Sequence, residues 1–182
     1  MELLRRTRLT IATLLLAACV SAFAATGGGA PNEYALKSVF LYNFCRFIEW
    51  PDSAFAAPND PLIIGVIGDD PFGQMLDEAV AGESYHGRSI RIEHYRSPRE
   101  ITHCQLLFIS ASETAHIPEI LSAVAGKSIV TVGESENFIE RGGMIALVAD
   151  RNRVRLLINP AALRAARLDA SSKLLRVAEI TR

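Results

Sequence analysis

Beyond its first two dozen positions this sequence has no apolar run long enough to cross a bilayer, and no internal repeat at a period of roughly 20–50 residues. A transmembrane segment in the chain beyond them and a solenoid are thereby excluded. The phosphate loop, H-E-x-x-H and G-x-S-x-G are missing, and Gly65-x-x-Gly68 lacks the G-x-G of a dinucleotide fingerprint. His86, His94, His103 and His116 never pair at a spacing that shares one helix face, and no cysteine cluster joins them, so neither a metal nor another cofactor is expected. Cys104 follows His103, but adjacent side chains diverge, which is weak ground for a thiol–imidazole pair. A hydrolase is accordingly the least supported reading, and the protein is read as a non-enzyme.

The N-terminus carries an export pattern. Arg5, Arg6 and Arg8 precede an apolar run from Leu9 to Val20, and Ala22-Phe23-Ala24 offers a small-residue cleavage site. Residues 1–24 are therefore a signal peptide, and the mature protein is expected in the periplasm. Leu16-Ala17-Ala18-Cys19 also fits a lipoprotein cleavage box, which would leave a lipid anchor on Cys19. The apolar character of Val20, Ala22 and Phe23 favours soluble secretion, because a lipoprotein tether begins polar. Residues 25–32 read as a flexible leader and 33–182 as one domain.

Removing residues 1–24 leaves 16 basic and 19 acidic groups, a balance that excludes a nucleic-acid binder. The charges are unevenly placed. Residues 25–140 hold seven basic and 16 acidic groups, and residues 141–182 hold nine and three. Two solvated faces of one domain account for this, as would a basic surface that selects an acidic partner.

Hydrophobic periodicity predicts a helix over Glu33–Glu49, with Leu36, Val39, Phe40, Phe44 and Phe47 on its core face. Pro51 ends it. Leu62–Ile67 and Leu106–Ile109 are apolar without alternation, as strands covered on both faces are. Ser89–Tyr95 alternates, and Ser128–Val132 gives one more strand. Helices are expected over Phe72–Ala81 and from a capping box at Ser110-x-x-Glu113 to Ala125. Met144–Ala149 and Arg153–Ile158 flank a short polar link and pair as a hairpin. A helix from Asn159 to Leu168 and a final one over Asp169–Ile180 complete the chain, the latter with Leu174, Leu175 and Ala178 inward. This order implies an α/β fold in three layers: a mainly parallel sheet, helices on both faces and a C-terminal antiparallel hairpin.

Some residues invite a functional reading. Asp69, Asp70 and Ser110 follow strand ends, where open α/β sheets bind ligands, and mark a candidate crevice. The two acids do not complete a phosphorylation receiver site, since Ser110 stands where an Asp is needed and no Lys serves; a turn with a helix cap suffices. Trp50 and Phe55 are candidate contacts for a partner, against edge packing as the plainer role of Trp50. Arg153 and Arg155 share one face of their strand, as a guanidinium patch or as edge protection. Cys45 lies nine positions after Leu36, about 180° from the core stripe, and so is expected to face outward while Cys104 leads inward. An intrachain bridge, an interchain bridge through Cys45 and a free thiol remain open as redox states.

Four stretches in order resemble the YfiR family. They are Phe44-Cys45-Arg46-Phe47-Ile48-Glu49-Trp50-Pro51, then Ile63 through Gly73, then Cys104-Gln105-Leu106-Leu107-Phe108-Ile109-Ser110, and last the tail from Gly142-Gly143 through Arg155 and Asn159 to Leu175. The resemblance implies a homodimerising periplasmic repressor. Its partner would be the periplasmic sensor domain of a membrane diguanylate cyclase, so that cyclic-di-GMP stays low. It further implies release through an outer-membrane lipoprotein or redox stress. The family's disulfides are not matched, because Cys104 finds no cysteine in Leu62–Ile67. The rival reading is a periplasmic small-molecule sensor that uses the crevice at Asp69, Asp70 and Ser110.

Overall fold

The computed structural model describes residues 31–151 and 153–181; the expected signal segment, Cys19 and the leader up to residue 30 lie outside the described residues. Among the described residues no helix is long and apolar enough to cross a membrane.

The expected α/β architecture is present. Helix α1 (Pro31–Phe47) leads into β1 (Ile48–Glu49), then β2 (Leu62–Ile67), α2 (Gln74–Val80), β3 (Ser84–Tyr85) and β4 (Arg88–Tyr95). Strand β5 (Leu106–Ile109), α3 (Ile117–Val124), β6 (Val130–Gly133) and the short α4 (Asn137–Glu140) follow. The chain ends with β7 (Ile145–Asp150), β8 (Arg153–Ile158), α5 (Pro160–Ala165), β9 (Asp169–Ala170), α6 (Ser172–Val177) and β10 (Glu179–Ile180). The main sheet runs β10-β8-β7-β6-β5-β2-β4-β3. Strands β4, β2, β5, β6 and β7 are parallel neighbours, and β7–β8 is the expected antiparallel hairpin, with Ile145 opposite Ile158 and Asp150 opposite Arg153.

Two apolar layers cover the two faces. Leu41, Phe44, Ile48, Ile64, Phe108 and Leu156 belong to one; Ile67, Leu107, Ile117, Ile120, Phe138 and Leu157 belong to the other. Alternation along each strand sends Leu106 and Phe108 one way and Leu107 and Ile109 the other, which is why β5 reads as an unbroken apolar run. Phe108 is fully buried, with Phe72 edge-on at 4.7 Å, so each ring contributes about 2–3 kcal/mol of burial. On the opposite face Gly65 lets Tyr95 pack close against β2: a Cβ there would sit 2.5 Å from the Tyr95 ring.

Several expectations change. Helix α1 buries Lys37, Ser38, Leu41, Phe44 and Cys45, while Leu36 and Val39 are 40% and 46% exposed. Its inward stripe is rotated by about one residue from the apolar pattern, because Lys37 and Ser38 find polar partners inside: Lys37 Nζ lies 2.6 Å from both Glu33 and Glu134, and the Ser38 hydroxyl donates to the Ala35 carbonyl. Cys45 is therefore buried, not outward. The predicted helix over 33–49 gives up its last two residues to β1, which pairs with β9. The capping box is not formed either. Ser110 makes no side-chain cap, a 3-10 segment occupies Ala111–His116, and α3 starts only at Ile117. The helix expected over Asp169–Ile180 is instead β9, α6 and β10. Here Ile48 opposite Ala170 and Ile180 opposite Ile158 are long-range pairings that outweigh local periodicity.

Candidate functional site

Strand β2 lies between β4 on one side and β5 on the other, so the chain reverses its winding there and the carboxyl ends of β2 and β5 flank a switch point. Asp69, Asp70 and Ser110 are brought together at this place. Ser112 and Glu113 crowd the backbone at Gly68 beside them. The Asp69 backbone N–H donates to the Ser112 hydroxyl at 2.9 Å, and a Cβ on Gly68, whose φ is +90°, would sit 2.5 Å from that oxygen. Asp70 closes an Asx turn by accepting from the Phe72 N–H at 2.8 Å, and its other oxygen lies 3.2 Å from His94 Nε2. Ser110 is buried, and its N–H donates to the Ile67 carbonyl. The Asp70 carboxylate and the backbone N–H groups of Asp69 and Ser110 thus have partners within the chain, while the Asp69 carboxylate faces solvent. An open groove of about 250 Å³ lies elsewhere, between α3 and α5. Its walls are Leu121, Val124, Met144, Ala162 and Ala166, with Lys127 at the rim.

At the opposite, amino-terminal end of the strands a ladder of rings is built. Trp50 is 6% exposed and donates its indole N–H to the Gln105 carbonyl at 2.9 Å, so it is an internal prop instead of a surface anchor. Tyr85 stands edge-on to Trp50 at 5.5 Å and stacks on Phe55 at 6.1 Å. The Arg88 guanidinium covers Phe55 at 4.0 Å and donates to the carbonyls of Ala57 and Asp60, which pins the loop after Pro51 to β4. Phe55 and Arg88 are half-buried and form the outer rungs. Sequence reasoning singled out Trp50 and Phe55 but missed Tyr85 and Arg88. Only the pairing of β3 with β4 brings them here, and the signal available was an Arg opening an alternating strand.

The two hairpin arginines differ. Arg153 is 74% exposed and bonds Asp150 within the hairpin. Arg155 is bidentate to Glu179 of β10 and also pairs with Glu136. Hydrogen bonds donated to Glu179 and Glu136 hold its guanidinium pKa above the ordinary value, and the contact with Arg155 lowers that of Glu179. Arg155 thus fastens β10 to β8, and Arg153 is the freer of the two.

Cys45 and Cys104 are both free and buried in the two different layers, on opposite faces of the sheet. Burial pushes each thiol up to about 12, so neither is a ready thiolate. Among the described residues no three potential ligands gather as a metal site.

No curated protein matches this sequence. Among solved structures, an ABC domain from Streptococcus pneumonia in complex with L-Trp superposes with a TM-score of 0.55 at 11% identity, over 79% of this chain and 59% of that one. A conserved domain protein from Vibrio cholerae O1 biovar eltor gives 0.50 at 13% identity, over 66% and 54%. At these identities the likeness is one of fold, and this chain spans little more than half of either. A family model described as YfiR/HmsC-like matches residues 34–179.

Proposed function

The chain belongs to the YfiR/HmsC-like family, and from that premise we propose that it is a repressor acting by surface contact on the periplasmic sensor domain of a membrane diguanylate cyclase. At family level the role is that of a periplasmic regulator of such a cyclase, regulatory instead of catalytic. The match over residues 34–179 carries the reading, because it takes in nearly every described element. The site geometry supports it: Ser112 and Glu113 pack against Gly68 at the switch point, while the outer rungs Phe55 and Arg88 and the exposed Arg153 are available to a protein surface. Aromatic and guanidinium groups of this kind are the commonest anchors of protein contacts. In this reading the protein works as a homodimer in the periplasm, and an outer-membrane lipoprotein releases it from the cyclase.

Capture tests the proposal. The exported protein, immobilised and exposed to solubilised membranes from its own source, is expected to retain a membrane diguanylate cyclase identified by mass spectrometry. Phe55→Ala with Arg153→Glu is expected to lower that capture at least about tenfold, the size of a single hot-spot loss. Retention of other membrane proteins without any cyclase would overturn the assignment.

A further inference from the structure

Five cations gather where α1 ends and the C-terminal elements fold back over it. The Phe47 carbonyl, next to Arg46, accepts the Ser171 N–H at 2.8 Å, and β1 pairs with β9. Arg164 on α5 and Leu175 on α6 line one dimple, so the two short helices meet at this corner. Arg46, Arg164, Arg167, Lys173 and Arg176 are all exposed. Among the described residues none of the five forms an ion pair with a carboxylate, whereas both hairpin arginines do. Lys173, Arg176 and Val177 follow the spacing of one helix face. Val177 is 72% exposed and Ile180, just beyond it, 53%. Glu49 and Asp169, opposite each other on the ribbon, and Glu179, held by Arg155, are the acids here, and the corner keeps an excess of positive charge.

We propose that this corner docks the protein on an anionic lipid surface. Cations without a carboxylate partner (Arg46 rests over the Tyr42 ring, 5.8 Å from its centroid), interspersed with exposed aliphatic side chains, are the composition of an interfacial surface: the charges are drawn to phosphate headgroups and the aliphatics enter the layer beneath. An acidic protein segment fits less well. Recognition of that kind uses a groove that desolvates paired charges, and the dimple beside Arg164 holds only about 30 Å³. The rest of the chain adds direction. Residues 25–140 carry seven basic against 16 acidic groups, so an anionic membrane attracts the corner and repels the remainder, which orients the molecule.

The test uses the exported protein with sedimenting vesicles of phosphatidylethanolamine and phosphatidylglycerol, and with vesicles of phosphatidylcholine alone. Binding is expected on the anionic vesicles only, and is expected to fall steeply as salt shortens the screening length. Arg164→Glu, Arg167→Glu, Lys173→Glu and Arg176→Glu together are expected to weaken it at least about tenfold, each cation near such a surface being worth several-fold. Arg99→Glu, between β4 and β5 on the other half of the sheet, leaves it unchanged. Equal binding to both vesicles, no binding to either, or salt-independent binding of the unaltered protein overturns the proposal. So does a folded charge-reversed variant that sediments normally while losing capture of a protein partner, since it assigns the corner to that partner. Cyclase capture is read separately, so failure here leaves the function proposed above standing.

Discussion

Gln105 joins two elements with one side chain. Its Oε1 accepts from the Ile63 N–H at 2.8 Å and its Nε2 donates to the Ala54 carbonyl at 2.7 Å, while its backbone carbonyl receives the Trp50 indole. Gln105→Met keeps the volume and strands two polar groups, so urea unfolding is expected to show a loss of about 2–4 kcal/mol. The thiols make a second residue-scale prediction. Burial raises Cys45 and Cys104 from the ordinary 9.0 to about 12 in the folded chain. A raised folded pKa contributes stability that is complete below 9.0 and lost as pH climbs towards 12. Lys37, Tyr34, Tyr85 and Tyr95 are shifted upward as well, so all of them erode stability on the alkaline side. Cys45→Val with Cys104→Val is expected to flatten the fall in unfolding free energy between pH 9 and 12; an unchanged slope contradicts the assignment. An internal role for Trp50 is the plainer of the two that its sequence position allows, but the carbonyl that receives its indole lies 55 positions away and no local pattern shows it.

Helix α1 shows where pattern reading runs out. Leu36, Val39, Phe40, Phe44 and Phe47 make the better apolar stripe, yet the helix turns so that Lys37 and Ser38 go inside. Glu134 decides this. One of its oxygens takes Lys37 and the other accepts the Ala111 N–H at 2.9 Å, so it ties α1 to the ends of β5 and β6. Lys37→Met leaves that carboxylate without its cation in a half-closed site and is expected to cost about 3 kcal/mol. Leu36→Gln and Val39→Gln are each expected to stay within about 0.5 kcal/mol. Denaturant titration checks both, and the reverse order would restore the stripe read from sequence. Strands β2, β5 and β8 were legible because β-branched and apolar runs need nothing beyond themselves. The tail was not: Ser171 caps α6 by accepting the Leu174 N–H, and β9 and β10 exist only through distant partners. Ser171→Ala is expected to cost about 1 kcal/mol and to loosen α6 first, visible as faster amide exchange there.

At the scale of the whole molecule, architecture and family were legible from the order of the segments, while the surfaces were not. Of the four candidate contacts Trp50, Phe55, Arg153 and Arg155, two are committed inside the protein, Trp50 as a prop and Arg155 as a clasp on β10. Exposure depends on how distant elements fold over each other, and a linear pattern carries little of that. What the fold leaves outward is an aromatic–guanidinium rim at one end and a cationic corner at the α1–α6 junction, each a surface for contact. The repressor proposed above would change a cell through the cyclase it restrains. Deleting the chain from its source and measuring cellular cyclic-di-GMP by mass spectrometry, with re-expression as control, tests that most directly. The account predicts a several-fold rise on deletion that re-expression reverses. A level that stays the same or falls would contradict it.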